Sequence, residues 1–136
     1  MEITVRQAKS QDASPMLQLY NRFTQQFVGS TSRTIKPFRT MLRKKDNINF
    51  VASDSQNQII GYIHAHLEKR LNRGEFREIV IDPKHDVELV AQRLVERVNA
   101  AFMERKVSSI TAGSLRNPVY EKVFPKLGFI ESESVD

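Results

Sequence analysis

The chain has 136 residues, 40% of them hydrophobic, which is enough for one core and too short for two ordinary domains, so we expect one domain spanning 1–136. It contains no cysteine, which excludes disulfides, thiolate nucleophiles and cysteine zinc sites. The chain has 21 Lys and Arg residues and 16 Asp and Glu residues. Six of the basic residues and none of the acidic ones lie within 33–45, so the other 15 basic residues nearly balance the acids.

The sequence also bears on location. No apolar run is long enough to span a bilayer, and the first residues lack the basic, then apolar, then small-residue order of a signal peptide. We therefore expect a cytoplasmic protein that does not bind membranes.

The N-terminal part predicts a strand and a helix. Residues 2–8 alternate as a strand does. Ser14 followed by Pro15 is typical of a helix N-cap and first helical position, and apolar residues at helical spacing extend that helix to about Phe27.

The basic segment 33–45 predicts a second, shorter helix that opens at Pro37. Its inner face consists of Phe38, Met41 and Leu42, and its outer face of Arg39, Arg43 and Lys44. Such a segment suits an acidic substrate, a nucleic acid or a membrane surface, or is simply a solvated helix face.

A three-stranded meander follows. Residues 47–53 and 58–69 read as strands joined by the turn formers of 54–57, and a third strand, 75–81, follows a turn at 71–74.

The last part of the chain alternates helix and strand. Asp82-Pro83 precedes a long helix with a continuous apolar stripe, a strand within 107–115, a helix over 117–127 and a final strand at 129–133. The order is β-α-α-β-β-β-α-β-α-β. It predicts an α/β fold, a mixed sheet with helices on both faces, in which the long helix is the crossover of a parallel pair.

Two segments carry a family resemblance. "IVIDPKHDVELVAQRL" (79–94) and "NPVYEKVFPKLGF" (117–129), together with the element order, resemble the GNAT superfamily of acetyl-CoA dependent N-acetyltransferases across essentially the whole chain. The resemblance implies the acyl-CoA N-acyltransferase fold and transfer of an acetyl group from acetyl-CoA to an amine by direct attack.

The resemblance also assigns a cofactor loop. Family members hold the pyrophosphate with backbone amides at a helix N-terminus, where glycines allow close approach. The corresponding residues here contain no glycine, and only the last conforms to the family pattern: Asp86, Val87, Glu88, Leu89, Val90 and Ala91. The backbone of Ile79, Val80 and Ile81 would pair with the pantetheine arm, which Asn117 would also contact.

An alternative follows from the two acids of this loop. Asp86 is a good N-cap and Glu88 is favoured in a first helical turn, so the helix could satisfy its own terminus without a phosphate. Lys84, His85 and Arg93 flank the loop and could attract phosphate.

Catalytic candidates are few. Glu78 lies near the position of the family's carboxylate base, and Glu75, nearer the start of the same strand, is an alternative. Phe124 stands where relatives carry a tyrosine that protonates the leaving thiolate, and Tyr120, one helical turn away, is a substitute donor or a packed surface tyrosine. His64 and His66 share one strand face and flank a substrate groove; two histidines without a third ligand predict no metal site.

Two functions remain open. The first is an N-acetyltransferase acting on a small-molecule or peptide amine, with Arg39 and Arg43 contacting an anionic group of that acceptor. The second is a degenerate GNAT-fold binding module that uses 33–45 to bind a protein or nucleic-acid partner, although no nucleic-acid motif accompanies the basic residues. A homodimer completed across an exposed sheet edge is a further expectation.

Overall fold

A computed structural model describes residues 2–24, 33–112 and 122–129. The strands are β1 (Thr4–Gln7), β2 (Asn47–Ser53), β3 (Ile59–Glu68), β4 (Arg73–Ile81) and β5 (Ser109–Ala112). The helices are α1 (Ala13–Phe23), α2 (Ile35–Arg43), α3 (Val87–Glu104) and α4 (Val123–Lys126). This confirms the predicted order up to the last helix, whereas the region around Phe27 and the expected final strand after Phe129 lie outside the described residues. No helix in the described ranges is long and apolar enough to cross a membrane.

The sheet has its five strands side by side in the order β1-β2-β3-β4-β5. The first four are antiparallel neighbours, and β4 pairs with β5 in parallel, from Arg73 opposite Ser109 to Phe76 opposite Ala112. A parallel pair needs a long crossover. The 18-residue α3 supplies it, as its apolar stripe predicts.

Helices cover both faces of the sheet, and each face has its own core. On the α1 and α2 side the buried residues are Ala13, Met16, Leu19, Tyr20, Phe38, Val51, Tyr62 and Val80. On the α3 and α4 side the largest include Phe50, Ile63, Phe76, Leu94, Val98, Phe102, Val123 and Phe124. Strand alternation divides β3 between the two cores, since Tyr62 belongs to the first and Ile63 to the second.

A β-bulge in β4 reverses that alternation once. His64 lies opposite Glu78, but the next residue, Ala65, lies opposite Phe76, so Arg77 is an extra residue in β4. Phe76 therefore packs on the α3 side, and Glu78 bonds Tyr62 on the α1 and α2 side.

Both N-terminal helices begin earlier than predicted. α1 starts at Ala13 rather than after Ser14, because a 3-10 turn, Ser10–Asp12, runs directly into it. α2 starts at Ile35 and carries Pro37 in its first turn. Proline is tolerated there because first-turn amides have no intrahelical acceptor.

The turn predicted at 71–74 is shorter than expected. A 3-10 turn, Lys69–Leu71, is followed by Asn72 in the left-handed conformation at φ 48°, and β4 begins at Arg73. Gly74 is a strand residue. A Cβ at this position would lie only 2.7 Å from the ring of Phe102. Its role is to admit that ring rather than to form a turn.

Candidate active site

Glu78 is held by two side chains that are distant in sequence. Arg33 donates from Nη1 to Oε1 at 3.0 Å and its Nη2 lies 3.0 Å from Oε2, so the pair is bidentate. The Tyr62 hydroxyl donates to Oε1 at 2.5 Å. Oε2 has Arg33 as its one partner within the described residues and keeps a lone pair for another N–H.

Arg33 is itself fixed from α1. Its amide donates to Asn21 Oδ1 at 2.9 Å, and Asn21 Nδ2 donates back to its carbonyl at 3.1 Å. Its guanidinium lies 3.8 Å from the ring centroid of Tyr20. Burial opposes the charge of Arg33, but the neighbouring Glu78 carboxylate raises the pKa of Arg33 above its usual value. The pKa of Tyr62 is raised well above its ordinary range, first by burial and then by the charge of Glu78. The Tyr62 hydroxyl therefore stays protonated and donates.

Two adjoining cavities open beside Glu78. The first, which we call the Glu78 cavity, has a volume of about 330 Å³ and is lined by Glu78, Arg33, Phe38 and His64 among others. The second, of about 650 Å³, is the basic groove, defined by Lys36, Lys44, Asn47, His64, His66 and Arg77. His64 and Arg77 line both cavities, so the two cavities share a wall.

Asparagines of β2 fix both histidines. Asn47 Nδ2 donates to the Met41 carbonyl at 3.0 Å, so its Oδ1, 2.7 Å from His66 Nδ1, accepts from that nitrogen. Asn49 Oδ1 lies 2.9 Å from Nδ1 of His64. Burial, followed by the charge of Arg77, lowers the pKa of His64 to about 4, so His64 is neutral at pH 7 and Nε2 is its acceptor atom.

The predicted shared face of the two histidines is confirmed, since both line the basic groove. Among the described residues no group of three His, Cys, Asp or Glu side chains is arranged to hold a metal ion.

Two of the three residues predicted on the outer face of α2 do not line the basic groove. Arg39 and Arg43, predicted to contact an acceptor, are exposed and line neither of the two cavities. Lys36, Thr40 and Lys44 line the groove instead, because residues four apart share one side of a helix.

The N-terminus of α3 is capped by the protein itself. Asp86 Oδ1 accepts the amide of Leu89 at 3.2 Å, and the Asp86 carbonyl accepts the amide of Val90 at 3.0 Å. Ala91 lies inside the helix, where its amide belongs to the helical ladder. The amides of Val87 and Glu88 have no partner within the described ranges.

The charges around this terminus are partly compensated. The carboxylate of Glu88 pairs with Lys126 of α4. Arg93, expected to flank a phosphate, instead donates to the carbonyl of Ile3, directly before β1, at 2.9 Å. Lys84 and His85 line a cavity of about 1070 Å³ next to the loop, and His85 Nδ1 is buried without a partner in the described part of the chain.

These residues fit a pyrophosphate. Among the described residues they offer two unpaired helix-terminal amides and the unsatisfied His85 Nδ1. The cations Lys84 and Lys126 lie here too, but each is already paired with a carboxylate of the protein, Asp82 and Glu88 respectively. One amide of the family pattern, that of Leu89, is already occupied by Asp86.

The remaining predicted site residues divide into buried and undescribed. Ile79, Val80 and Ile81 are buried in β4, beyond Phe76, where the described pairing of β4 with β5 ends. Phe124 is a core residue, 5.1 Å from the ring of Phe76. Asn117 and Tyr120 lie outside the described residues.

The sequence pattern does not reveal Arg33 or Tyr62 as site residues. Arg33 is 45 positions from Glu78, and within the basic segment it resembles its neighbours. The only local signal for Tyr62 is a phenol on the strand face that also carries His64.

Comparison with known proteins adds two findings. The sequence profile of the family described as "Acetyltransferase (GNAT) domain" matches residues 6–135. No curated protein matches the chain at a significant level.

Several solved structures share the fold. Aminoglycoside 6'-N-acetyltransferase AAC(6')-Ih from Acinetobacter baumannii superposes with a TM-score of 0.76 at 16% identity, over 99% of this chain and 95% of that one. AAC(6')-Iy, solved with the bisubstrate analogue CoA-S-monomethyl-acetylneamine, gives 0.80 at 18%, over 100% and 96%. The ribosomal-protein-alanine N-acetyltransferase from Brucella melitensis biovar Abortus 2308 gives 0.79 at 15%, over 99% and 97%.

Proposed function

The chain belongs to the GNAT acetyltransferase family, and from that membership we propose that it transfers an acetyl group from acetyl-CoA to an amine bound beside Glu78. The observation that carries the proposal is the Glu78 carboxylate, which is held in place and lines a cavity. A lone pair of its Oε2 is available to accept a proton from the amine. The β4 bulge is what turns this carboxylate away from the aromatic core.

The cofactor would be held mainly by backbone groups. The amides of Val87 and Glu88, with Lys84 and Lys126, would bind its pyrophosphate, and β4 at Ile79, Val80 and Ile81 would hold its arm. When bound, acetyl-CoA supplies the thioester that carries the acetyl group. Asn117 as a contact to the arm and Tyr120 as a proton donor stay predictions.

The acceptor end depends on three side chains. Glu78 Oε2 receives a proton from the ammonium group of the acceptor, directly or through water, and leaves a neutral amine able to attack. His64 accepts a second N–H at Nε2 and so orients the nitrogen. Arg33 and Tyr62 keep the Glu78 carboxylate in place, which contributes through orientation rather than through covalent chemistry.

Calorimetric titration of acetyl-CoA, with ATP as a control, tests cofactor binding first. We expect micromolar binding of acetyl-CoA and none of ATP. Thiol release with a panel of amines then tests transfer. Glu78→Gln should lower kcat by about 100-fold while leaving the Kd for acetyl-CoA unchanged, and a Glu78→Gln enzyme with full activity would contradict the role of Glu78.

A binding module without acetyl transfer is the second candidate function. The specific observation in its favour is the Asp86 carboxylate on the Leu89 amide, where relatives leave room for phosphate. Absence of both heat and thermal shift at millimolar acetyl-CoA would support this candidate over the enzyme.

A further inference from the structure

The basic groove carries positive charge that no described carboxylate compensates. Lys36 and Lys44 lie on its α2 wall, and neither has an anionic partner in the described part of the chain. Arg77 stands on the β4 wall. None of the described residues that line the groove is a carboxylate.

The two carboxylates of β4, which lie opposite His66 and His64, are already paired. Glu75 binds Arg77 at 2.8 Å and Arg73 at 2.9 Å, and Glu78 binds Arg33. Within the ranges that the structure describes, the two lysines therefore have no internal counter-charge at the groove, and an anion entering it displaces none of these ion pairs.

The spacing of the lysines indicates an extended ligand. Lys36 and Lys44 are eight residues apart, which corresponds to about 12 Å along a helix axis. An extended peptide rises about 3.3 Å per residue, so this distance matches two acidic side chains roughly three or four residues apart.

The basic groove also leads to the Glu78 cavity. It shares His64 and Arg77 with the Glu78 cavity, so a ligand can have its amine at Glu78 and its anionic groups at the lysines. We infer that the acceptor is the free amino terminus of an acidic peptide, held in the basic groove by Lys36 and Lys44. This inference rests on the proposed function for the transfer step, but peptide binding is measurable without it.

The probes are three hexapeptide amides that differ only in charge: Ala-Glu-Ser-Ala-Glu-Ser and its versions with both glutamates replaced by glutamine or by lysine. Fluorescence anisotropy of labelled peptides gives binding, and thiol release gives transfer. At low salt we expect the acidic peptide to bind at least tenfold more tightly than the glutamine peptide, and the lysine peptide not to bind.

Charge reversal locates the site. Lys36→Glu with Lys44→Glu should abolish the preference for the acidic peptide. Arg39→Glu with Arg43→Glu makes the same charge change on the same helix but outside both cavities, and the preference should persist there. A thermal melt of each variant verifies that it is folded.

Three results would overturn the inference: no preference among the peptides, an equal loss in both double variants, or displacement of the acidic peptide by a short oligonucleotide at lower concentration than by unlabelled peptide. Charge-dependent peptide binding without acetyl-CoA binding would refute the proposed function and uphold the groove. Transfer of acetyl to amines without a preference among the peptides would uphold the proposed function and refute the inference about the basic groove.

Discussion

At the residue scale, the site is organised before any ligand arrives. The Glu78 carboxylate is only 18% exposed and accepts from Arg33 and Tyr62, while Asn21 and the Tyr20 ring hold Arg33. Each member restricts the rotamers of the next. Little conformational entropy should therefore be lost at Glu78 when an amine binds.

His64 should make stability depend on pH in a defined window. Its pKa is lowered from 6.5 to about 4, first by burial and then by Arg77. As pH falls, the unfolded chain gains the proton before the folded chain does, so this contribution is complete above pH 6.5 and is lost between 6.5 and 4. We expect a loss of about 2 kcal/mol between pH 7.5 and 5.0, measured by urea unfolding.

The control for this prediction is His64→Gln, whose unfolding free energy should change much less over the same range. The pKa values of Asp12 and Glu75 are also lowered, by hydrogen bonds from Arg6 and Arg77, but from values of 3.8 and 4.5. Their windows lie below pH 5, outside the measurement. An equal pH slope in both proteins would mean that another group titrates.

At the element scale, the start of α3 links helix stability to the proposed cofactor site. Asp86→Asn keeps an oxygen for the Leu89 amide but removes a negative charge, so stability should change by less than about 0.5 kcal/mol. Acetyl-CoA should then bind about five- to tenfold more tightly, because about 1 kcal/mol of screened repulsion is removed. Calorimetry measures this change.

Asp86→Ala is the matched variant. It removes the cap as well as the charge and should lower the free energy of unfolding by about 1 kcal/mol. If neither variant changes acetyl-CoA affinity, the pyrophosphate does not bind at this helix terminus.

The contact between β4 and α3 gives a second prediction at this scale. A Cβ at Gly74 would lie within 2.8 Å of three ring carbons of Phe102, which is fully buried. Gly74→Ala should therefore cost about 1–3 kcal/mol of stability, measured by denaturant unfolding, because the ring must shift in a packed core.

Gly61→Ala is the comparison, since its nearest neighbour would be a flexible Ile81 side chain at 3.1 Å, and it should cost less. Combining Gly74→Ala with Phe102→Leu should cost less than the sum of the two single changes. Strict additivity would show that the ring is not what limits position 74.

At the scale of the whole molecule, the sequence predicts the fold better than the site. Strand alternation, the stripe of α3 and its Asp-Pro entrance are local patterns, and they survive in the structure with shifted boundaries. The pairing of Arg33 with Glu78 joins positions 45 apart through the sheet and α1, and no local period encodes it. The groove-facing role of Lys36 and Lys44 likewise depends on how α2 docks.

The outer edge of the sheet gives a prediction for the molecule as a whole. Arg93 of α3 donates to the carbonyl of Ile3, directly before β1, at 2.9 Å, and Arg97 donates to that of Val5 in β1 at 2.7 Å. Replacing both arginines by methionine should loosen β1, lower stability by about 1 kcal/mol and speed amide exchange in residues 2–8. Hydrogen-exchange mass spectrometry measures the effect.

Arg105→Met, at the C-cap of the same helix, removes a similar charge without touching β1 and should leave exchange in 2–8 unchanged. Unaltered exchange in the Arg93 and Arg97 double variant would mean that β2 alone holds the edge strand.

The extra residue in β4 has a consequence for the evolution of this chain. Phe76 and Glu78 are two positions apart, yet one belongs to the aromatic core and the other to the Glu78 cavity, only because Arg77 is inserted between them. Losing one residue there would send the carboxylate into the core or the ring into the cavity. Among descendants of this sequence, the number of residues in β4 is therefore as constrained as the identities of Gly74 and Glu78.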